Sequence, residues 1–418
     1  MTYADSGFCR PARRFFYHRR EALSAKPAAL RAGLSLLGNI KYGTLEVVLP
    51  DGAFYRFKGV YQGSSASLHV HDDTVAQRFL TGGKLGFCES YLDGGWSSPD
   101  MAAFFTLILQ NGDAMRDALA GNTATRILSR LFHLLRPNSR HGAKKNIHHH
   151  YDIGNEFYAA WLDPSMTYSA GLFRDGNHDD LEKAQYAKYQ EIIDRLHPGG
   201  GDHILEIGCG WGGFAAYAAQ KTGCRVTALT ISEAQYNYAR RRIADAGLEH
   251  LVTIQLCDYR DLTGTYDHIV SIEMFEAVGE RYWPDYFNVL ESSLKPGGQA
   301  LLQVITIRDD LYAAYRRSAD YIQRYIFPGG MLPSRAVLSM QARKAGLSAE
   351  KTVTFGPDYA RTLALWHKKF QDAWPDLARH HGFDMRFKKM WEQYLCYCQA
   401  GFAAGTIDVI HIGLRKPV

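Results

Sequence analysis

The sequence predicts an α/β protein, a parallel sheet with helices on both faces, preceded by a small α+β unit. Three observations point there. From residue 181 onward, short apolar segments alternate with amphipathic ones. Residues 203–213 read His-Ile-Leu-Glu-Ile-Gly-Cys-Gly-Trp-Gly-Gly, an apolar strand running into a glycine-rich turn. Residues 40–62 alternate apolar and polar positions in the manner of a hairpin. At 418 residues the chain exceeds one ordinary core and predicts two domains.

In chain order, residues 45–49, the turn Pro50-Asp51-Gly52 and residues 54–57 predict two strands, with 66–70 as a third. Residues 72–111 are helical in pattern, interrupted at Gly82-Gly83 and Gly94-Gly95. Residues 1–115 therefore form an N-terminal α+β domain in this reading. Residues 116–147, helical and then basic with a break at Pro137-Asn138-Ser139, form a linker, and 148–418 the large domain. There the expected order is helix 181–196, strand 203–207, helix 214–220, strand 224–229, helix 233–246 and strands 252–256 and 268–273. Helix 283–294 then ends at the breaker Lys295-Pro296-Gly297-Gly298, before strand 300–305. A Tyr- and Arg-rich helical insertion occupies 310–335, with a hinge-like turn at Phe327-Pro328-Gly329-Gly330. Segments 353–355 and 407–414 close the sheet, with the aromatic helix 385–404 between them.

Composition narrows the function. With 46% hydrophobic and 22% charged residues the chain is globular, and 25 Tyr, 21 Phe and 7 Trp suit pockets for cations, flat rings or apolar tails. Residues 1–18 lack the apolar core of a signal peptide, and no apolar run approaches the roughly 18–20 residues that cross a bilayer. Seven cysteines without paired C-x-x-C spacing then imply reduced thiols and a cytoplasmic location. The net charge of +5 is unevenly placed. Arg10, Arg13, Arg14, Arg19, Arg20, Lys26 and Arg31 face only Asp5 and Glu21, and Arg126, Arg130, Arg136, Arg140, Lys144 and Lys145 face no acid. Each basic residue near an anionic lipid surface contributes about 1 kcal/mol. With Leu128, Leu131, Phe132, Leu134 and Leu135 interleaved, the second cluster suits a membrane surface as well as it suits a solvated helix face. The run His148-His149-His150 predicts a loop and no metal, because adjacent side chains do not converge on one ion.

The glycine turn fits two ligand classes. Gly208, Gly210 and Gly213 match G-x-G-x-x-G, but a dinucleotide site wants an acid after the next strand, and Thr230-Ile231-Ser232 stands there. The acid instead precedes the glycines, at Glu206. That arrangement resembles motif I of class I S-adenosylmethionine (SAM) methyltransferases, whose fold is a Rossmann-like sheet.

Further segments extend the resemblance. They are residues 150–158 with 162–169; the loop through Trp211-Gly212-Gly213 with 229–235; 257–262 with 271–279; and 325–334, joined by 86–96 in the small domain. Together the chain resembles the cyclopropane-fatty-acyl-phospholipid synthase family, which includes mycolic acid cyclopropane synthases and fatty-acid methyltransferases. The resemblance implies a small lipid-binding domain and a SAM domain that adds a one-carbon unit to a cis double bond of phospholipid acyl chains. The product is a cyclopropane or a methylated chain. The implied partners are an anionic phospholipid membrane and unsaturated acyl chains, not nucleic acid. A homodimer is compatible with it, as is a redox partner where the product is methyl-branched. The enzyme would work peripherally at the inner face of the membrane.

By the same resemblance Tyr168, Ser169, Gly208, Gly210 and Gly212 border the methionine part of SAM. Thr230, Ser232 and Gln235 surround the ribose, and Asp258 and Tyr259 lie near the adenine. Ser232 equally suits a helix N-cap and Asp258 a turn. A bicarbonate ion is the family's general base, and its ligands map to Glu276, Tyr359 and the Ile305 backbone. Two departures bear on it: Ala170 replaces the family's cysteine and Gln303 its histidine. Glu273 adds a charge that competes with a bound anion. An NAD oxidoreductase, an RNA methyltransferase and a non-catalytic lipid-binding protein are the rival readings.

Overall fold

The computed structural model describes residues 26–114, 153–174, 179–317 and 320–418. The chain divides into two compact units, Met1–Asn122 and Thr123–Val418. The predicted basic cluster 126–145, the arginines before residue 26 and the histidine run lie outside the described residues.

The first unit contains α1 (Ala28–Leu37), β1 (Tyr42–Val48), β2 (Phe54–Lys58), β3 (Tyr61–Val70), α2 (Thr74–Leu92), β4 (Trp96–Ser97) and α3 (Met101–Gln110). Its sheet runs β2-β1-β3-β4. The β1–β2 hairpin forms as expected, whereas the third strand starts earlier, at Tyr61, and pairs with β1 in parallel. Only Gly59 and Val60 separate β2 from β3. Gly59 N–H donates to Gly43 O at 2.8 Å and Tyr61 N–H to Lys41 O at 2.8 Å, so the chain crosses the end of β1. A Cβ on Gly59 would lie 2.4 Å from the Lys41 carbonyl, and only glycine permits that crossing. The predicted interruption at Gly82-Gly83 is a kink within α2, where Gly83 has φ 59° and ψ −146°. Trp96 fills the core, stacked 4.5 Å from Phe87, with its indole N–H donating to Phe87 O.

The second unit runs α4 (Asn155–Ala159), α5 (Leu181–Leu196), β5 (His203–Ile207), α6 (Gly213–Thr222), β6 (Arg225–Thr230), α7 (Glu233–Asp245), β7 (Val252–Leu256) and β8 (Tyr266–Ile272). There follow α8 (Trp283–Ser293), β9 (Leu294–Ile307), α9 (Asp309–Tyr315), α10 (Tyr321–Tyr325) and α11 (Arg335–Lys344). β10 (Ser348–Thr354), α12 (Gly356–His381), α13 (Met385–Ala403) and β11 (Ile407–Arg415) complete it. The sheet order is β10-β11-β9-β8-β5-β6-β7. β5 through β9 pair in parallel, and β11 runs antiparallel to both β9 and β10. Consecutive β5 residues feed different cores: Ile204 packs with α5 and α6, Leu205 and Ile207 with α8. The order reverses beside β5, and that switch point is where α/β sheets open a crevice at their strand ends.

In this unit two elements differ most from expectation. The breaker at 295–298 does not end the pairing; β9 begins at Leu294 and bulges, so that Tyr266 faces Leu294 while His268 faces Gln299. The sequence reading also assigned no helix to 356–381. Its buried stripe of Tyr359, Thr362, Leu363, Trp366, Phe370, Trp374 and Leu377 follows helical spacing and outweighs the internal Pro375.

Candidate active site

Backbone builds the first half of the site. Gly208 and Cys209 N–H both donate to Leu229 O, at 3.0 and 2.8 Å, which folds the glycine turn over the end of β6. Gly208, Gly210 and Gly212 have φ of 85°, 53° and 81°, the left-handed region that side chains avoid. A Cβ at Gly208 would meet Met274 Cγ at 2.7 Å, whereas one at Gly210 would meet nothing within 4 Å. The loop is therefore packed below and open at Gly210, where a ligand has room to lie against the backbone. Trp211 donates its indole N–H to Asn155 at 2.8 Å, which ties the loop to α4.

At the end of β6, Thr230 donates to Gln235 Oε1 at 2.9 Å and accepts from Ser232 N–H at 3.2 Å. Ser232 caps α7 by accepting from Gln235 N–H at 3.3 Å, so the cap reading of this residue holds. All three side chains are buried. Asp258 caps the 3-10 turn Tyr259–Asp261 and grips Arg260 with both oxygens, at 2.9 and 2.6 Å. The turn reading thus describes its own bonds. Tyr259 packs edge-on against Tyr286, 5.4 Å away. This polar, partly backbone-lined strip, with the open face of Gly210, fits SAM.

Side chains from distant segments build the second half. Tyr168 meets Tyr394 hydroxyl to hydroxyl at 2.8 Å, with its ring 5.3 Å from Trp366 and 5.6 Å from Trp161. The next two residues are held from below. Lys188, wholly buried, donates to Ser169 Oγ at 2.6 Å and Gln185 Oε1 at 2.7 Å, while Gln185 donates to Ser169 O at 2.8 Å. Burial pushes the Lys188 ammonium down to about 7, against the pull of Glu273, Asp163 and Glu206.

Glu273 stands at the centre. Its Oε1 accepts from Ala170 N–H at 2.9 Å and Gln303 Nε2 at 2.6 Å, and its Oε2 accepts from Tyr359 at 2.7 Å. Of the expected anion ligands, Glu276 and Ile305 do come together, Ile305 N–H donating to Glu276 Oε1 at 2.5 Å. Tyr359 does not join them. It turns to Glu273, and so does Gln303, so the groups expected around an external anion close on a carboxylate of the chain itself. Glu273 has φ 50°, uncommon for a side chain of this size and a form of strain often found at functional positions.

The two glutamates differ in their surroundings. Burial, and then the Glu273 carboxylate, push Glu276 up to about 8, so it is protonated at neutral pH. Burial raises Glu273 as well, opposed by its bonds to Tyr359 and Ala170, the Lys188 charge and its Gln303 bond. Gln303 is oriented in turn by His411, whose Nε2 lies 2.8 Å from its Oε1. Burial, then Arg195 and Lys188, hold His411 down at about 3, so the ring is neutral and donates. Sequence reasoning treated Glu273 only as a competing charge and did not find Lys188, Gln185 or His411. A lysine on the buried stripe Leu181, Ala184, Gln185, Lys188, Ile192 was the available signal.

The chain matches known proteins. Residues 138–412 match the family model described as mycolic acid cyclopropane synthetase. The chain belongs to that family. It is 38% identical over 409 residues to the tuberculostearic acid methyltransferase UfaA1 of Mycobacterium tuberculosis, covering 93% of this chain and 92% of the relative. It is 37% identical to the cyclopropane-fatty-acyl-phospholipid synthase of Escherichia coli K12, covering 89% of this chain and 96% of the relative. Among solved structures, mycolic acid cyclopropane synthase CmaA1 complexed with SAH and CTAB is 28% identical with a TM-score of 0.61, covering 65% of this chain and 98% of that one. This family member is a SAM-dependent methyltransferase acting on lipids, with a class I methyltransferase sheet. No helix among its described residues is long and apolar enough to cross a membrane.

Proposed function

We propose that the enzyme transfers a one-carbon unit from SAM to the cis double bond of unsaturated acyl chains in membrane phospholipids, giving a cyclopropane or a methylated chain. The observation that carries this reading is the pairing of an open glycine loop with a carboxylate cluster ringed by aromatic side chains. SAM supplies an electrophilic methyl group, and an alkene is a weak nucleophile, so the site must hold the two in line. The faces of Tyr168, Trp366 and Tyr359 suit the positive charge that attack leaves on the chain; Tyr359 also lies 4.4 Å from Phe402. Relatives named for cyclopropane formation on phospholipids and for fatty-acid methylation support an acyl acceptor.

The small unit would carry the enzyme onto the cytoplasmic membrane surface through the end of its sheet. There Val60 is 81% and Tyr61 58% exposed, Tyr42 lies 5.2 Å from Tyr61, and Lys41 and Lys58 flank them. Exposed aromatic and aliphatic groups beside lysines suit an anionic interface. Incubation with labelled SAM and vesicles of anionic, monounsaturated phospholipid tests the reading. The acyl chains should gain the mass of one methylene, with NMR separating cyclopropyl from olefinic or methyl-branched products. Label that enters RNA and not lipid, or no transfer with intact SAM binding, would refute it.

A further inference from the structure

Resting on that reading, we propose that the Glu273 carboxylate is the proton acceptor of the reaction, a base built into the chain in place of an exogenous anion. Three donors from three segments converge on it: the Ala170 N–H, the Gln303 amide and the Tyr359 hydroxyl, all within 2.9 Å. Such donors are what a small oxyanion such as bicarbonate would need, and here a tethered carboxylate saturates them. A second anion would meet the Glu273 charge with no donors left among these groups. The backbone of residue 273 adopts φ 50° to bring the side chain there. The residue as a whole keeps partial exposure.

The division of roles follows from the neighbouring acid. Glu276 Oε1 accepts from Ile305 N–H, and its buried Oε2 has no hydrogen-bond partner among the described residues. A protonated Glu276 therefore carries its proton on Oε2, while the three donors around Glu273 favour its ionised form, the separation that assigns acid and base. Glu273 Oε1 already accepts two bonds and Oε2 only one, which leaves a lone pair on Oε2 for an incoming proton.

The step balances without another reagent. The alkene π pair forms the new C–C bond as the S–CH3 bond breaks, leaving neutral S-adenosylhomocysteine and a cation on the chain. Glu273 Oε2 then takes a proton. If the proton comes from the transferred methyl, the released C–H pair closes a cyclopropane. If it comes from a chain carbon beside the cation, that pair forms a new double bond in a methylated chain. The neutral Glu273 acid returns its proton to water after product leaves.

Two measurements test the assignment, one of them independent of the lipid reading. Binding of 13C-labelled bicarbonate, followed by NMR line broadening, should be absent in the wild-type protein. It should appear in Glu273→Gly, whose glycine suits φ 50° and leaves the three donors open. Bicarbonate binding by the wild type, or its absence from a folded Glu273→Gly, overturns the proposal. In the vesicle assay, wild-type turnover should be equal in bicarbonate-free and bicarbonate-containing buffer. Glu273→Gln should lose about a hundredfold or more of kcat while SAM affinity stays within about threefold. Glu273→Gly should recover activity with added bicarbonate. A wild-type rate that requires bicarbonate, or a Glu273→Gln variant of undiminished kcat, overturns the assignment, whereas a wild type inert on lipid but active on another acceptor refutes only the substrate reading.

Discussion

The donor and acceptor halves of the site are built in different ways. At the ends of β5 and β6, the proposed cofactor strip is made from the backbone of residues 208–212 and from three side chains within six positions, Thr230 to Gln235. At the ends of β8 and β9, the proposed reaction centre gathers residues 170, 188, 273, 303, 359 and 411, which no local motif joins. A backbone site tolerates change until a side chain blocks it. A side-chain network fails when any member leaves a buried partner unsatisfied.

The largest expected contrast comes from Lys188. It touches neither Glu273 nor, by its position, the reacting atoms. It fixes the Ser169–Ala170 turn, whose N–H donates to Glu273, and contributes a nearby positive charge. Lys188→Met should lower kcat by about ten- to a hundredfold, with a smaller change in KM, and move the acidic limb of the kcat–pH profile upward. Lys188→Arg should not restore the rate, because a wholly buried guanidinium does not fit the ammonium's place. An unmoved pH profile in the Met variant would reduce Lys188 to packing.

Gly210 probes the other half. A Cβ there meets nothing within 4 Å, so Gly210→Val should leave the fold intact apart from about 1–2 kcal/mol of backbone strain at φ 53°. SAM affinity, measured by calorimetry, should fall at least about tenfold because the side chain enters the ligand's space. Unchanged affinity would mean that SAM does not run past this face.

These halves also explain what was legible. The glycine turn, the α7 cap at Ser232 and strands 203–207, 252–256 and 407–415 announce themselves through local spacing. The convergence on Glu273 depends on β8, β9 and α12 being brought together, and α12 itself hides behind Gly356, Pro357 and Pro375, which read as breakers. Ala170 and Gln303 were legible as departures from the family. Their consequence was not, since only tertiary structure shows that the Ala170 N–H and the Gln303 amide both donate to Glu273.

Glu276 offers a pH test of the side-chain half. Its carboxyl titrates at 4.5 when unfolded and about 8 when folded. Between those values the folded state holds a proton that the unfolded state has lost, so stability falls as pH rises through this window. Glu206, buried on β5 and also raised to about 8 first by burial, adds to the same slope. Lys188 acts oppositely above about 7, where the folded state has lost a proton that the unfolded state keeps. Glu276→Gln should therefore flatten the decline in urea midpoint between pH 5 and about 8, by the share of one carboxyl. An identical decline in the variant would mean that Glu276 is ionised in the fold.

Ser232→Ala should have the smallest effect. Among the described residues the hydroxyl accepts only the Gln235 N–H bond of the α7 cap, and losing such a cap costs about 1 kcal/mol. If capping is its whole role, the urea midpoint falls and SAM affinity is kept, because Thr230 still engages Gln235. If SAM affinity drops about tenfold as well, the hydroxyl faces the cofactor and one side chain of the donor strip does ligand work. Ser232→Asp separates the cases further: an aspartate caps a helix as well as serine does, so stability returns, but a carboxylate offers a ribose acceptors without the serine's donor. Restored stability with restored SAM affinity would mean that the donor half can take an acid at this turn and that its absence from the sequence is not a requirement of the site.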